Sequence, residues 1–186
     1  MKKAQIPYVD PEILEDVKQP LLAAVDLGST SIVVYLMDGL TGRRLSVRSM
    51  LNPQKKYGAD VVTRSSYALE HGAEILSSCA GEAVNHLLRE AAWECSRSSE
   101  DIVRIIMAGN TCMHHLFLEI PTDSLVVAPH EPKIKKAVKR KALDYGLLVH
   151  PSAELWWLPV IGGFVGADTV ACILASGLYE QEELVL

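Results

Sequence analysis

The sequence predicts an α/β fold that starts with three consecutive strands and then alternates, in the order β-β-β-α-β-α-β-α. Three observations carry this expectation. Residues 21–51 hold three runs rich in apolar and β-branched residues, separated only by short polar turns. From residue 61 the apolar period changes from two to three and four. Two later apolar runs, "DIVRIIMAG" and "AELWWLPV", each lead through a turn into a helical stretch.

Each element follows from its residues. Residues 1–20 read as an arm, with a short helix after Pro11 and a stop at Pro20. "LLAAVDL" (21–27) is a continuous apolar run, as in a strand covered on both faces. "SIVVYLMD" is β-branched, and "DGLTGRR" supplies turn chemistry into a third strand, "RLSVRSML". "LNPQKKYGAD" is a polar loop that ends on Asp60, placed to cap a helix. Helical period then runs from Val61 to about Arg97, broken near His71-Gly72. Leu76, Cys79, Ala80, Ala83, Leu87, Ala91 and Ala92 form its inward stripe. "NTCMHHLFLEI" begins a helix at the end of the fourth strand. After a variable stretch come the fifth strand, the turn "IGGFVG", the helix "ADTVACILASGL" and "EELVL", the start of a further strand. A meander followed by βα units is the layout of a ribonuclease H-like lobe. Residues 21–186 read as that lobe, cut short before whatever follows.

Composition narrows the function classes. At 186 residues, 49% apolar and 22% charged, the chain suits one globular domain, which buries about 70% of its unfolded surface. A net charge of −5 argues against a nucleic-acid binder. The basic run "KIKKAVKRK" (133–141) reads as a solvated helix face rather than a polyanion patch. Cys79, Cys95, Cys112 and Cys172 lack C-x-x-C spacing, so no iron–sulfur or zinc framework is expected, and reduced thiols fit a cytoplasmic protein. The N-terminus has acids and prolines where a signal peptide needs an apolar core. Residues 155–179 are long and apolar enough to resemble a membrane span. Pro159, Gly162, Gly163, Gly166 and Asp168 interrupt them, and a mid-bilayer charge costs about 3 kcal/mol, so no membrane is implied.

The segment that bears chemistry is "AAVDLGSTSIVVYLMD" (23–38). A hairpin needs only two turn residues; here Asp26 is followed by Gly28, Ser29, Thr30 and Ser31. A glycine with adjacent hydroxyls at a rigid tip makes a nest of N–H and O–H donors suited to phosphate oxygens. Asp26 would repel phosphate directly and would instead orient Mg²⁺ through water. The bland alternative is a decorated turn whose acid makes an Asx-type bond.

D-x-G-S-T inside such a meander resembles the first phosphate motif of the acetate and sugar kinase, heat-shock chaperone and actin ATPase superfamily. Three further blocks, "LNPQKKYGADVVTR" (51–64), "MAGNTCMHHLFLEI" (107–120) and "LPVIGGFVGADTVACILASG" (158–177), together resemble the reductive activators of corrinoid proteins. That resemblance implies an ATP-dependent protein that returns Co(II) corrinoid to Co(I), with ATP and Mg²⁺ as cofactors and a corrinoid protein as partner. It implies Asp26, Gly28, Ser29 and Thr30 in the phosphate loop, and Asn52, Gln54, Gly58 and Asp60 at the cleft mouth. It further implies Gly109, Asn110 and Thr111 at the end of the fourth strand, and Gly163, Gly166 and Asp168 at the turn into the last helix. Asp26 and Asp168 are the catalytic candidates. Such proteins carry an iron–sulfur domain and a second lobe, neither of which is expected in these residues, so ATPase activity is expected only of a complete two-lobed protein. The alternatives are a non-catalytic interaction or dimerisation module, as a homodimer for example, and the first lobe of a small-molecule kinase.

Several residues have two readings. Asp168 and Asp60 either cap helices or face the cleft. Adjacent helical residues point about 100° apart, so His114 and His115 read as packing residues rather than joint metal ligands. One of Trp156 and Trp157 faces inward, and Cys112 reads as a buried filler.

Overall fold

A computed structural model describes residues 16–180. Strands β1 (Leu21–Leu27), β2 (Ser31–Asp38) and β3 (Arg44–Leu51) form the antiparallel meander. Strand β4 (Ile102–Ala108) runs parallel to β1, β6 (Glu154–Trp157) runs parallel to β4, and β5 (Val138–Lys141) closes the edge antiparallel to β6. The sheet order is therefore β3-β2-β1-β4-β6-β5, a ribonuclease H-like lobe with one added edge strand. The helices are α1 (Val61–His71), α2 (Glu74–Glu94), α3 (Thr111–Phe117), α4 (Asp123–Val126) and α5 (Ala167–Ser176).

Helix α1 starts where Asp60 accepts a hydrogen bond from the Thr63 N–H at 2.8 Å, and it stops at Gly72, whose φ of +88° suits a residue without a side chain. The α2 stripe read from sequence is buried throughout. It packs on one face of the sheet, where the in-register row Val34, Val25, Met107, Trp157, Val138 is also buried. The opposite row, Tyr35, Ala24, Ile106, Trp156, stays half-open, with Tyr35 36% and Trp156 38% exposed. Among the described residues, then, β1 is sealed throughout on one face, while on the other Leu22 packs with Val17 and Val103, Ala24 is half-buried and Asp26 is exposed; α5 reaches the sheet at β4.

One expectation is overturned. The basic run 133–141 is not a helix face, because its second half is β5. Lys139, Arg140 and Lys141 are solvated as expected, but their backbone pairs with β6, a tertiary contact with no local pattern. Lys139 Nζ lies 2.5 Å from a Glu154 oxygen and 5.1 Å from the Trp156 ring centre. β6 is also shorter than "AELWWLPV" and ends at Trp157, just before the proline segment. No described helix is long and apolar enough to cross a membrane. The helix after Pro11 and the strand in "EELVL" lie outside the described residues.

Candidate functional site

The first hairpin emerges at the carboxyl end of β1. Asp26 is exposed there, and its carboxyl is held above the usual range by partial desolvation and by repulsion from Asp168. Neither the Asp26 carboxylate nor the hydroxyls of Ser29, Thr30 and Ser31 have a hydrogen-bond partner among the described residues. Gly28 is required by the turn itself, since a Cβ there would stand 2.7 Å from the Ser31 carbonyl oxygen.

The hairpin is clamped from beneath. The Asn52 side-chain amide donates to the Gly28 carbonyl at 2.8 Å, and the Asn52 N–H donates to Thr30 O at 2.8 Å. Asn52 Oδ1 in turn accepts from the Gln54 N–H at 2.9 Å, and Gln54 Nε2 donates to Leu76 O at 2.9 Å, which ties the hairpin to α2. Asn52 and Gln54 are thus buried braces and not residues of a cleft mouth, because their polar atoms are consumed inside the protein. Asp60 is likewise spent as the α1 cap, and Gly58 O accepts from Arg64 Nε at 2.9 Å.

A second set of residues converges from the neighbouring strand ends. Asn110 caps α3 through Oδ1 to the Met113 N–H at 3.0 Å. Thr111 is buried and donates its hydroxyl to Gly162 O at 2.6 Å. The Gly109 carbonyl accepts from the N–H groups of Ala167, at 2.9 Å, and Asp168, at 3.2 Å, and so docks the start of α5. Gly166 permits this approach, since its Cβ would lie 2.5 Å from Asn110 Cα. Gly163 sits equally tightly against the His130 carbonyl. This knot holds Asp168 in the first turn of α5, near enough to Asp26 to repel it. The helix cap itself is Gly166, so Asp168 is a first-turn residue whose Oδ1 takes the Thr169 N–H at 2.7 Å.

No three His, Cys, Asp or Glu side chains cluster around a metal position among the described residues. Two mutually repelling carboxylates suit Mg²⁺, which keeps several waters and needs only one or two carboxylates. His114 and His115 are fully buried. His115 Nδ1 lies 2.9 Å from Thr111 O, and its Nε2 accepts from the Lys133 N–H at 3.1 Å, which makes it a neutral structural bridge. Burial and the neighbouring imidazole push His114 down to about 4, so it is neutral at pH 7. Cys112 is buried 3.1 Å from Ser65 Oγ, and burial raises its thiol to about 11, far from a reactive thiolate. Beside the knot lies a cavity of about 270 Å³, lined by Val61, Val62, Cys112, Val126, His130 and Phe164 among others, with no Lys, Arg, Asp or Glu. It offers phosphate no charge.

One buried charge, the last residue of the block 51–64, carried no local sign of its burial. Arg64 faces inward from α1 and is 1% exposed. A charged residue in an exposed-looking helix start reads as surface, and only the packing of α1 against Met113 reveals otherwise.

Comparison with known proteins identifies the family and the fold. Residues 21–181 match the family model described as the RACo middle region. The corrinoid activation enzyme RamQ of Eubacterium limosum is 38% identical over 154 residues, covering 81% of this chain and 26% of its own length. The solved structure of a reductive activator for corrinoid, iron–sulfur protein superposes with a TM-score of 0.86 at 29% identity, covering 89% of this chain and 27% of that one. The chain thus spans about a quarter of the length of each. The match over residues 21–181 settles its family: the chain belongs to the RACo middle region.

Proposed function

We propose that this chain is the phosphate-binding lobe of an ATP-dependent corrinoid activator, the first of two lobes, and that its partner is a corrinoid protein restored from Co(II) to Co(I). The observation that carries the reading is the set of unspent groups at the first hairpin: three consecutive hydroxyls and one carboxylate with no internal partner, on a turn rigidly clamped by Asn52. Ser29 and Thr30 donate to phosphate oxygens, and the turn's N–H groups add to the nest. Asp26 and Asp168 would hold Mg²⁺ through water, and the ion when bound neutralises phosphate charge. Thr111 acts indirectly, by fixing the glycine turn that leads to Asp168, and Asn110 by capping the helix that carries Thr111. The names of the relatives support the corrinoid partner.

The test is Mg²⁺-dependent ATP hydrolysis by the complete protein that contains this lobe. Asp26→Asn is expected to lower turnover about 10- to 100-fold, the range for groups that orient a metal's ligands, without lowering the melting temperature. Unchanged turnover would remove Asp26 from the site and with it the phosphate reading.

A further inference from the structure

The cavity of about 270 Å³ beside the glycine knot has chemistry opposite to that of the first hairpin. Val62 from α1, Leu125 and Val126 from α4, and Phe164 from the glycine turn supply its apolar walls. Its lining holds no Lys, Arg, Asp or Glu. Cys112 adds no charge either, since burial raises its thiol to about 11. An ion placed there would lose hydration and meet no counter-charge. The occupant that fits is uncharged.

Two polar side chains of the lining each keep one group unspent. His130 Nδ1 lies 2.8 Å from Leu125 O. A carbonyl only accepts, so the proton sits on Nδ1, and Nε2 of the neutral ring is an acceptor with no partner among the described residues. Asn110 spends Oδ1 on the Met113 N–H at 3.0 Å, and its Nδ2 is a donor with no partner among the described residues. Both residues are fixed from behind, because Gly163 lets the His130 carbonyl close on it and Gly166 lets the start of α5 close on Asn110. The Phe164 ring meets the His130 ring edge-on, with centres 5.0 Å apart and planes at 63°, yet Phe164 is 83% exposed. An aromatic ring left so open beside an apolar cavity keeps its contact area for an occupant.

We propose that this cavity binds a small uncharged heterocycle that accepts a hydrogen bond from Asn110 Nδ2, donates one to His130 Nε2 and packs against Phe164. The volume sets the size: an apolar cavity of about 150 Å³ holds one benzene ring, so this one takes one or two fused rings. The pattern is that of small-molecule sites in general, mostly apolar walls with a few placed polar groups. The site uses neither the hydroxyls nor the acids of the phosphate reading, and it stands without that reading.

The probe is azaindole, an uncharged two-ring heterocycle with one ring N–H and one acceptor nitrogen, titrated into the full chain and followed by amide chemical shifts. Saturable shifts are expected at Val62, Cys112 and Phe164, at about millimolar concentration or tighter for so small a ligand. Phe164→Ala removes an exposed side chain on which folding does not depend, and is expected to weaken binding about 3- to 10-fold. Asn110→Asp keeps the oxygen that caps α3 and replaces the donor with an acceptor, and is expected to weaken binding roughly 10- to 100-fold. Indole has the same shape without the acceptor nitrogen; it is expected to bind wild type more weakly than azaindole and to be nearly indifferent to Asn110→Asp. Absence of saturable shifts at these residues, or equal affinity for indole and azaindole, overturns the proposal. So does a dimer in sedimentation that Phe164→Ala abolishes, because a second copy would then fill the cavity. Pyrophosphate with Mg²⁺ tests the phosphate reading apart: Ser29→Ala/Thr30→Ala is expected to weaken pyrophosphate and leave azaindole in place. Loss of azaindole in that variant overturns the cavity site.

Discussion

The two hairpins of the meander use similar residues for opposite ends. In the β2–β3 turn, Asp38 Oδ1 accepts from the N–H groups of Leu40, at 3.1 Å, and Thr41, at 2.7 Å, and from the Thr41 hydroxyl at 2.8 Å. The Thr41 oxygen is used again by the Arg43 N–H at 3.3 Å. In the β1–β2 turn, Asp26, Ser29, Thr30 and Ser31 make no such bonds, and the turn is held instead by a side chain from outside it, Asn52. The carboxyls respond accordingly. Partial burial acts against ionisation at both; at Asp38 the Thr41 and Leu40 hydrogen bonds and the Arg43 charge prevail and hold it below the usual range, while at Asp26 nothing offsets burial and Asp168, and it is held above. The Asx-type acid is Asp38. A turn that satisfies itself needs no ligand, whereas one that leaves donors in a row keeps them free for solvent or for a ligand.

Breaking the second hairpin should produce the largest effect on stability. Asp38→Ala removes three hydrogen bonds from one turn and is expected to cost about 1–2 kcal/mol, read by chemical denaturation, with pyrophosphate affinity unchanged. The mirror substitutions, Ser29→Ala and Thr30→Ala together, are expected to leave stability within about 0.5 kcal/mol and to weaken pyrophosphate binding about tenfold. A stability loss as large as that of Asp38→Ala would make the first hairpin an ordinary turn.

The pH dependence gives a smaller, signed distinction. Asp38 has a depressed folded pKa, so its contribution is present above the unfolded value, about 4, and is lost as pH falls through the folded one. The stability gap between wild type and Asp38→Ala should therefore narrow in acid. Asp26 is raised, so stability is fullest while it is protonated and is lost as pH rises through its folded value. Asp26→Asn should consequently be more stable than wild type at pH 7 by a few tenths of a kcal/mol, since solvent screens so exposed a group, and the difference should vanish below about pH 4. Denaturation curves at pH 3 and pH 7 for both variants read the opposite signs.

Much of this was legible where one residue pattern controls one element. The meander, the α2 stripe and the acid-glycine-hydroxyl turn are local, and the glycines at 28, 109, 163 and 166 could be placed on turns by their neighbours. Asn52 and Gln54 were misplaced because polar residues after a strand look solvent-facing; only their bonds to Gly28 and Leu76 show that they are interior. β5 was misread because lysines on an edge strand look the same as lysines on a helix, and its partner β6 lies more than ten residues away. Arg64 was invisible for the same reason: nothing local marks a buried cation.

The most direct test of the account is an amide chemical-shift map of the 186-residue chain titrated with Mg²⁺ and a nonhydrolysable ATP analogue. The account predicts saturable shifts concentrated at Gly28, Ser29 and Thr30, with a second set at Gly109 and Asp168, all abolished in Asp26→Asn. Saturable shifts centred elsewhere, or a hairpin that does not respond, would contradict it.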